Sequence, residues 1–240
     1  MKVPALWRER RWVKVAAIVA ALAVLWLGGP LLLRHVSFFR VRQIELVGVR
    51  YMAPGAVIGA LALSKRASVF DATEPLTARL RALPGIADAR LVRRFPGALK
   101  VIVREVEPVA LVPGATGGPL TVVDSGGRAL PYDPSRVGLD LPVAASVDSG
   151  LVAVLALVQS VDPTMFETIS SVRPTRGGTG VVLQMGSKRV LVARDAGPDV
   201  IRAVERVTED LATRERSYTE LDARYAGQVI VRKTTGNGGA

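Results

Sequence analysis

The 240-residue chain has no cysteine, a single histidine and 5% aromatic residues, and each scarcity removes a class of function. Without cysteine there is no disulfide framework, so any exported part must be held by its own packed cores. The one histidine, His35, sits at the edge of a long apolar run, which denies the rest of the chain a Ser-His-Asp arrangement. A Ser-x-x-Lys nucleophile motif, a Gly-x-x-x-x-Gly-Lys phosphate loop and a dinucleotide glycine fingerprint are also missing. Negative charge is short as well, since 32 Lys and Arg against 21 Asp and Glu leave a net charge of +11. That excess invites a nucleic-acid partner. The basic residues are scattered, however, and the short clusters Arg8 to Arg11, Arg93-Arg94 and Lys188-Arg189 carry none of the interleaved aromatics that base stacking requires. Glu105 and Glu107 share a strand face by spacing. With no third ligand or histidine beside them, they read as solvated charges rather than as an acid/base pair or a metal site. No catalytic, cofactor-binding or metal-binding residue is expected, and the chain does not read as an enzyme.

What the chain has in abundance is apolar residues, 49% of the total, and they concentrate near its start. From Val15 to Leu33 the run VAAIVAALAVLWLGGPLLL is uncharged between Lys14 and Arg34. As a helix it would reach roughly 28 Å, about the hydrocarbon thickness of a bilayer. Gly28, Gly29 and Pro30 are tolerated in such a span. The following RHVSFFRVR offers no small-x-small cleavage site, so the run is expected to be a single transmembrane helix and not a removed signal peptide. Lys2, Arg8, Arg10, Arg11 and Lys14 precede it, against Arg34, Arg40 and Arg42 after it. The positive-inside rule then puts the N-terminus in the cytoplasm and the larger part outside a cytoplasmic (inner) membrane. Trp7, Trp12, Phe38 and Phe39 fit interfacial positions on either side.

Beyond the span, periodicity alternates between strand and helix. VRQIELVGV sets Ile44 and Leu46 on one face and ends at Gly48, a strand and a turn. PGAVIGALAL opens on Pro54 with Val57, Ile58 and Leu61 at helical spacing. In DATEPLTARLRALPG, Thr73 or Asp71 can cap a second helix, Leu76, Leu80 and Leu83 form its stripe, and Pro84-Gly85 stops it. Strands over Ile86 to Arg93 and Leu99 to Glu105 flank a turn at Phe95-Pro96-Gly97. The order is β-α-α-β-β, with Ile44, Leu46, Leu80, Val101 and Val103 as candidate core. Further on, PLTVVDSGGRALPYD reads as strand, glycine turn, strand; LPVAA is extended; and Gly150 to Val161 is a short helix, apolar on several sides. GTGVVLQMGSKRVLVA is a hairpin turning at Gly186-Ser187. DVIRAVERVTEDLATRER is an amphipathic helix with Ile201, Val204, Val207 and Leu211 inward, and ELDARYAGQVIVR is a closing strand region.

The β-α-α-β-β order resembles the POTRA (polypeptide-transport-associated) domain, a small non-enzymatic interaction fold. With a basic tail, one span, IELVG, LPGIADARLVRRFPGALKVIVREVEPVAL and the terminal ELDARY region, the chain resembles the FtsQ/DivIB family of bacterial division proteins. Arg104 to Ala110 resembles that family's charged-Glu-x-Pro-Val-Ala pattern, with one residue more between Glu105 and Pro108. The resemblance implies an α+β fold: a cytoplasmic basic tail (1–14), a transmembrane helix (15–33), a POTRA domain (36–108), a mixed β-sheet domain with packed helices (109–232) and a disordered tail (233–240). The other POTRA-bearing class, a component of protein transport or outer-membrane assembly, wants repeated modules and a barrel of many alternating strands. One module fits here.

The same resemblance implies FtsB-like and FtsL-like partners among other divisome components, and a role in assembling and regulating septal cell-wall synthesis. No small-molecule substrate is implied. The family's docking strand falls on Arg224, Tyr225, Val229 and Val231, with Asp222 alongside and a bulge expected at Ala226-Gly227. Asp222 and Arg224 read equally as an ordinary ion pair or an exposed face. The tryptophan that some relatives carry later in this region is missing. A basic POTRA face around Arg93 and Arg94 is the second candidate surface.

Overall fold

In the computed structural model, residues 15–22, 28, 32–33, 36–114, 118–137, 140–225 and 227–233 are described. Contacts divide the chain into two units, Met1–Val49 with Ala53–Glu105, and Arg50–Met52 with Val106–Ala240.

In the first unit, β1 (Gln43–Val47) and β3 (Ala98–Glu105) run parallel, with Ile44 opposite Leu99 and Leu46 opposite Val101. Parallel neighbours need a crossover, and α1 (Pro54–Leu61) and α2 (Glu74–Arg81) lie in it. β2 (Ile86–Arg94) then pairs antiparallel with β3, so the sheet order is β1-β3-β2 and the chain order is the expected β-α-α-β-β. Both helices carry proline in the first turn, where its missing N–H breaks no intrahelical bond. The core is Val57, Leu61, Leu80, Leu99, Val101 and Val103, all buried, with Ile44 and Leu46 half-buried at its margin. Gly48 ends β1 at φ +86°, and a Cβ there would stand 2.1 Å from the Val103 carbonyl oxygen. Only glycine satisfies both conditions.

The expected cap of α2 does not form. Thr73 is in the αR conformation and makes no side-chain capping bond, whereas a capping residue needs extended backbone. The Asp71 carboxylate accepts instead from the Ser68 N–H at 2.8 Å, one turn earlier. Glu105 and Glu107 do not pair either. Glu105 is buried at the end of β3, and Glu107 lies past it and is exposed, because the strand alternation that would align them has stopped before Pro108.

The second unit is built on an eight-stranded mixed sheet. Its strands are β4 (Ala110–Val112), β5 (Thr121–Val123), β6 (Val143–Ala144), β7 (Ser171–Pro174), β8 (Gly180–Met185), β9 (Lys188–Ala193), β10 (Glu220–Tyr225) and β11 (Gln228–Arg232), in the order β11-β10-β9-β8-β7-β6-β4-β5. Its helices are α3 (Pro134–Val137), α4 (Ser149–Val161), α5 (Pro163–Thr168) and α6 (Pro198–Thr213). Leu151, Leu155 and Val158 of α4 and Ile201, Val204 and Leu211 of α6 share a buried cluster with Leu183, Val190, Val192, Leu221 and Ala223 of the sheet. Asp148 caps α4 by accepting from Gly150 N–H at 2.8 Å. Arg194, just past β9, grips the same carboxylate through two 2.8 Å bonds and holds it below the usual carboxylate range.

PLTVVDSGGRALPYD forms one strand and not two. After the glycine turn only Ala129 bridges back to Val123. The buried Asp124 carboxylate takes the N–H groups of Gly126 and Arg128, each at 2.9 Å. Pro131 then has no N–H with which to extend a ladder.

Residues 15–22 are helical. Among the described residues no helix is long and apolar enough to cross a membrane. The expected span falls partly outside the described residues, as do the basic tail with Trp7 and Trp12, His35, and residues 234–240.

Candidate functional site

The sheet of the second unit ends on β11, which pairs with β10 on one side only. Main-chain direction on this edge follows from two bonds. Arg189 N–H donates to the Thr219 carbonyl at 3.0 Å, so that carbonyl and the main-chain groups of Leu221 and Ala223 face β9, and those of Glu220 and Asp222 face β11. Arg232 opposes Glu220 and Ile230 opposes Asp222, and the Arg232 carbonyl accepts from Thr219 at 3.0 Å. Alternation therefore turns the N–H and C=O groups of Val229 and Val231 away from β10, toward the open edge. Their side chains are half-buried against the helix-covered core.

Tyr225 and Val229 do not lie on one bulged strand as expected. They belong to two antiparallel strands joined at Ala226-Gly227, with Tyr225 opposite Gln228. Gly227 supplies the reversal at φ +72°. The irregularity in the ladder falls between Asp222 and Tyr225, not at the glycine. Ala226 lies outside the described residues.

The face of β10 opposite the core carries Glu220, Asp222 and Arg224, alternate residues of one strand. Asp222 has no exposed surface. Arg224 donates to it twice, from Nε to Oδ1 at 2.8 Å and from Nη2 to Oδ2 at 2.6 Å, and Arg232 of β11 approaches Oδ2 at 3.8 Å. These guanidinium bonds, Arg224 first, hold the Asp222 carboxyl below its ordinary range, and Asp222 in turn raises the Arg224 guanidinium. Glu220, also buried, pairs with Arg189 of β9 and with Arg232 at 3.4 Å. Two carboxylates and three arginines thus stitch β9, β10 and β11 together on one face. Gly180 of β8 makes room for the arrangement, since a Cβ there would meet Arg224 Cδ at 3.0 Å.

Beside this network a cavity of about 440 Å³ opens, bordered by Arg173, Arg176, Arg189, Glu220 and Arg224. Tyr225 projects past the network, 53% exposed, with the Arg224 guanidinium 5.9 Å from its ring centre. The four expected residues therefore gather at one sheet edge, but in different roles. Val229 and Val231 present main chain, Tyr225 presents an exposed ring, and Arg224 is tied to Asp222. Sequence reasoning missed Glu220, Arg189 and Arg232. Charges at 220, 222 and 224, alternating with Leu221 and Ala223, were the available signal. Among the described residues no group of three or more His, Cys, Asp or Glu side chains is placed to hold a metal ion.

Comparison with known proteins identifies the first unit. The family model described as "POTRA domain, FtsQ-type" matches residues 39–105. The cell division protein FtsQ of Rhodothermus marinus is 25% identical over 213 residues, covering 81% of this chain and 78% of that protein. FtsQ of Anaeromyxobacter sp. strain K is 34% identical over 152 residues, covering 59% of this chain, which spans half the length of that relative. The major extracytoplasmic domain of the division protein DivIB from Geobacillus stearothermophilus aligns at a TM-score of 0.31 and 19% identity, over 45% of this chain and 96% of that one, and the fold assignment does not rest on it. Residues 39–105 thus match an FtsQ-type POTRA domain, and the chain as a whole is similar to bacterial cell division proteins FtsQ.

Proposed function

We propose that the chain is a non-enzymatic, membrane-anchored component of the divisome that receives a strand of an FtsB-like partner on the open edge of β11. That partner arrives with an FtsL-like protein, and the assembly helps build and regulate septal cell-wall synthesis. The observation that carries this reading is the direction of the Val229 and Val231 main-chain groups at an unpaired sheet edge. An added strand satisfies such groups with backbone hydrogen bonds, and alternate side chains select the partner. Tyr225, exposed beside the turn, offers an aromatic anchor. In this reading the chain comprises a cytoplasmic tail (1–14), a span (15–33), a POTRA domain (36–108), a β domain (109–232) and a terminal tail (233–240), with both folded domains outside the cytoplasmic membrane.

Two substitutions test the edge. Val229→Pro removes an outward N–H without removing a bond to β10, and a folded, membrane-inserted protein that no longer retains the partner is expected. Tyr225→Ala is expected to weaken the same complex by ~1–3 kcal/mol. Full partner retention by both folded variants would make the closing strand merely structural.

A further inference from the structure

Four of the chain's five phenylalanines meet at one end of the first unit. Phe38 packs edge-on against Phe39 at 5.2 Å between ring centres, Phe39 edge-on against Phe70 at 5.0 Å, and Phe70 meets Phe95 at a tilt at 5.4 Å. Three separate segments bring them together. Val69 N–H donates to the Phe39 carbonyl at 3.0 Å, Val41 N–H to Ala67 at 2.9 Å, and Arg42 N–H to Gly97 at 2.8 Å, which fixes the β2–β3 turn against the lead-in to β1. Gly97 permits that approach, because a Cβ would stand 2.6 Å from the Arg40 carbonyl oxygen. The inner rings, Phe39 and Phe70, are half-buried, whereas the outer ones, Phe38 and Phe95, remain 55% and 61% exposed. A core would cover them. Here they form an apolar tip.

Positive charge surrounds the tip. Arg40, Arg42, Lys65, Arg66, Arg93 and Arg94 are all exposed on the same three segments. Arg42 and Arg93 each give one N–H to a nearby carbonyl, Ser37 at 3.1 Å and Asp71 at 3.2 Å, which orients the guanidinium and leaves its other donors available. The neighbouring carboxylate, Asp71, accepts from Ser68 N–H through Oδ2 and is the single acidic group beside these six basic ones on the three segments. The tip also sits next to the apolar run. Phe38 follows Leu33 by five residues, a reach of at most ~18 Å. The connection is tighter than that limit, since Val36 N–H donates to the Leu33 carbonyl and Phe39 N–H to the Val36 carbonyl, both at 3.1 Å.

We propose that this phenylalanine–arginine tip seats on the anionic lipid surface of the membrane that holds the chain's own span. Phe38 and Phe95 enter the boundary between headgroups and acyl chains, and the surrounding arginines and lysine pair with lipid phosphates. Apolar area with basic residues at its rim is what an anionic interface rewards. The proposal rests on the reading of Val15–Leu33 as a membrane anchor, and it gives the first unit a fixed standing on the bilayer.

The natural chain has no cysteine, so a single introduced thiol carries the probe. The full chain, with Phe95→Cys or Ala82→Cys labelled by bimane, is reconstituted in vesicles of phosphatidylglycerol and brominated phosphatidylcholine. Ala82 lies at the C-terminal end of α2, and the nine residues of β2 separate that end from the tip by about 30 Å. Quenching at position 95 at least about threefold stronger than at 82 is expected, cut by roughly half when Arg93→Glu and Arg94→Glu are added or phosphatidylglycerol is left out. Equal quenching at the two positions in a chain that resists carbonate extraction overturns the docking and leaves the anchor standing. A chain that carbonate strips from the vesicles overturns the anchor, and the docking with it.

Discussion

A carboxylate with no exposed surface is tolerable at position 222 because guanidinium donors surround it. Arg224 supplies two short bonds and Arg232 a more distant charge, and breaking a buried pair on one side leaves an uncompensated charge behind. Arg224 is itself partly exposed, which limits the effect. Asp222→Asn in the detergent-solubilised full chain is expected to lower unfolding stability by about 1–3 kcal/mol at neutral pH. The sign of its pH dependence follows from linkage. The Asp222 carboxyl is depressed in the fold, so its stabilisation is present above the ordinary carboxylate value of about 3.9 and is lost as pH falls through the lower folded value. Denaturant unfolding of both proteins from pH 7 to pH 2 checks this. The gap between them closes on acidification, and a constant gap would show that the pair contributes no pH-dependent stability. The pairing of Asp222 with Arg224 was legible as one of two equal readings, because residues two apart on a strand share a face. Its burial was not, since Arg189 and Arg232, the other arginines around the β10 carboxylates, stand on neighbouring strands.

Elements long enough to show a period were legible. β2 with β3, β8 with β9, and α6 all fall where alternation or an apolar stripe puts them. The short strands were not. Ala110–Val112 is buried at every position and carries no alternation, and Val143–Ala144 is held by parallel partners distant in sequence. The β10–β11 turn was misread as a bulge because Ala226-Gly227 lacks the Asn-Gly or Asp-Gly signature of a two-residue hairpin, although Gly227 alone supplies a positive φ. The predicted faces of β3 can be tested directly. Val103 is buried at 4% exposure between β1 and β2, and Val103→Ala is expected to cost about 1–3 kcal/mol through lost burial and a residual cavity. Chemical denaturation of the full chain measures it, and an unchanged midpoint would contradict this packing.

On the scale of the whole molecule, the property that matters is which strand ends the larger sheet, and local pattern does not contain it. β10 joins β9 in parallel across the sixteen residues of α6, and β11 then folds back on β10's free side. Strand order is therefore set by a long crossover and one glycine turn together. The family resemblance pointed to the closing strand, and the fold supplies the reason that strand is available. Orientation of the molecule rests on the basic excess before Val15. A reporter fused after Lys233 is expected to be active only outside the cytoplasm, and cytoplasmic activity would reverse the topology.

The edge itself is tested most directly by amide hydrogen exchange in the full chain, with and without the proposed FtsB-like partner. Strand addition predicts that the Val229 and Val231 amides, which face away from β10, exchange quickly alone and slow by about tenfold or more in the saturated complex. Ile230 and Arg232, whose amides already face β10, change far less. Unchanged exchange at both Val229 and Val231 in a saturated complex would contradict docking on β11.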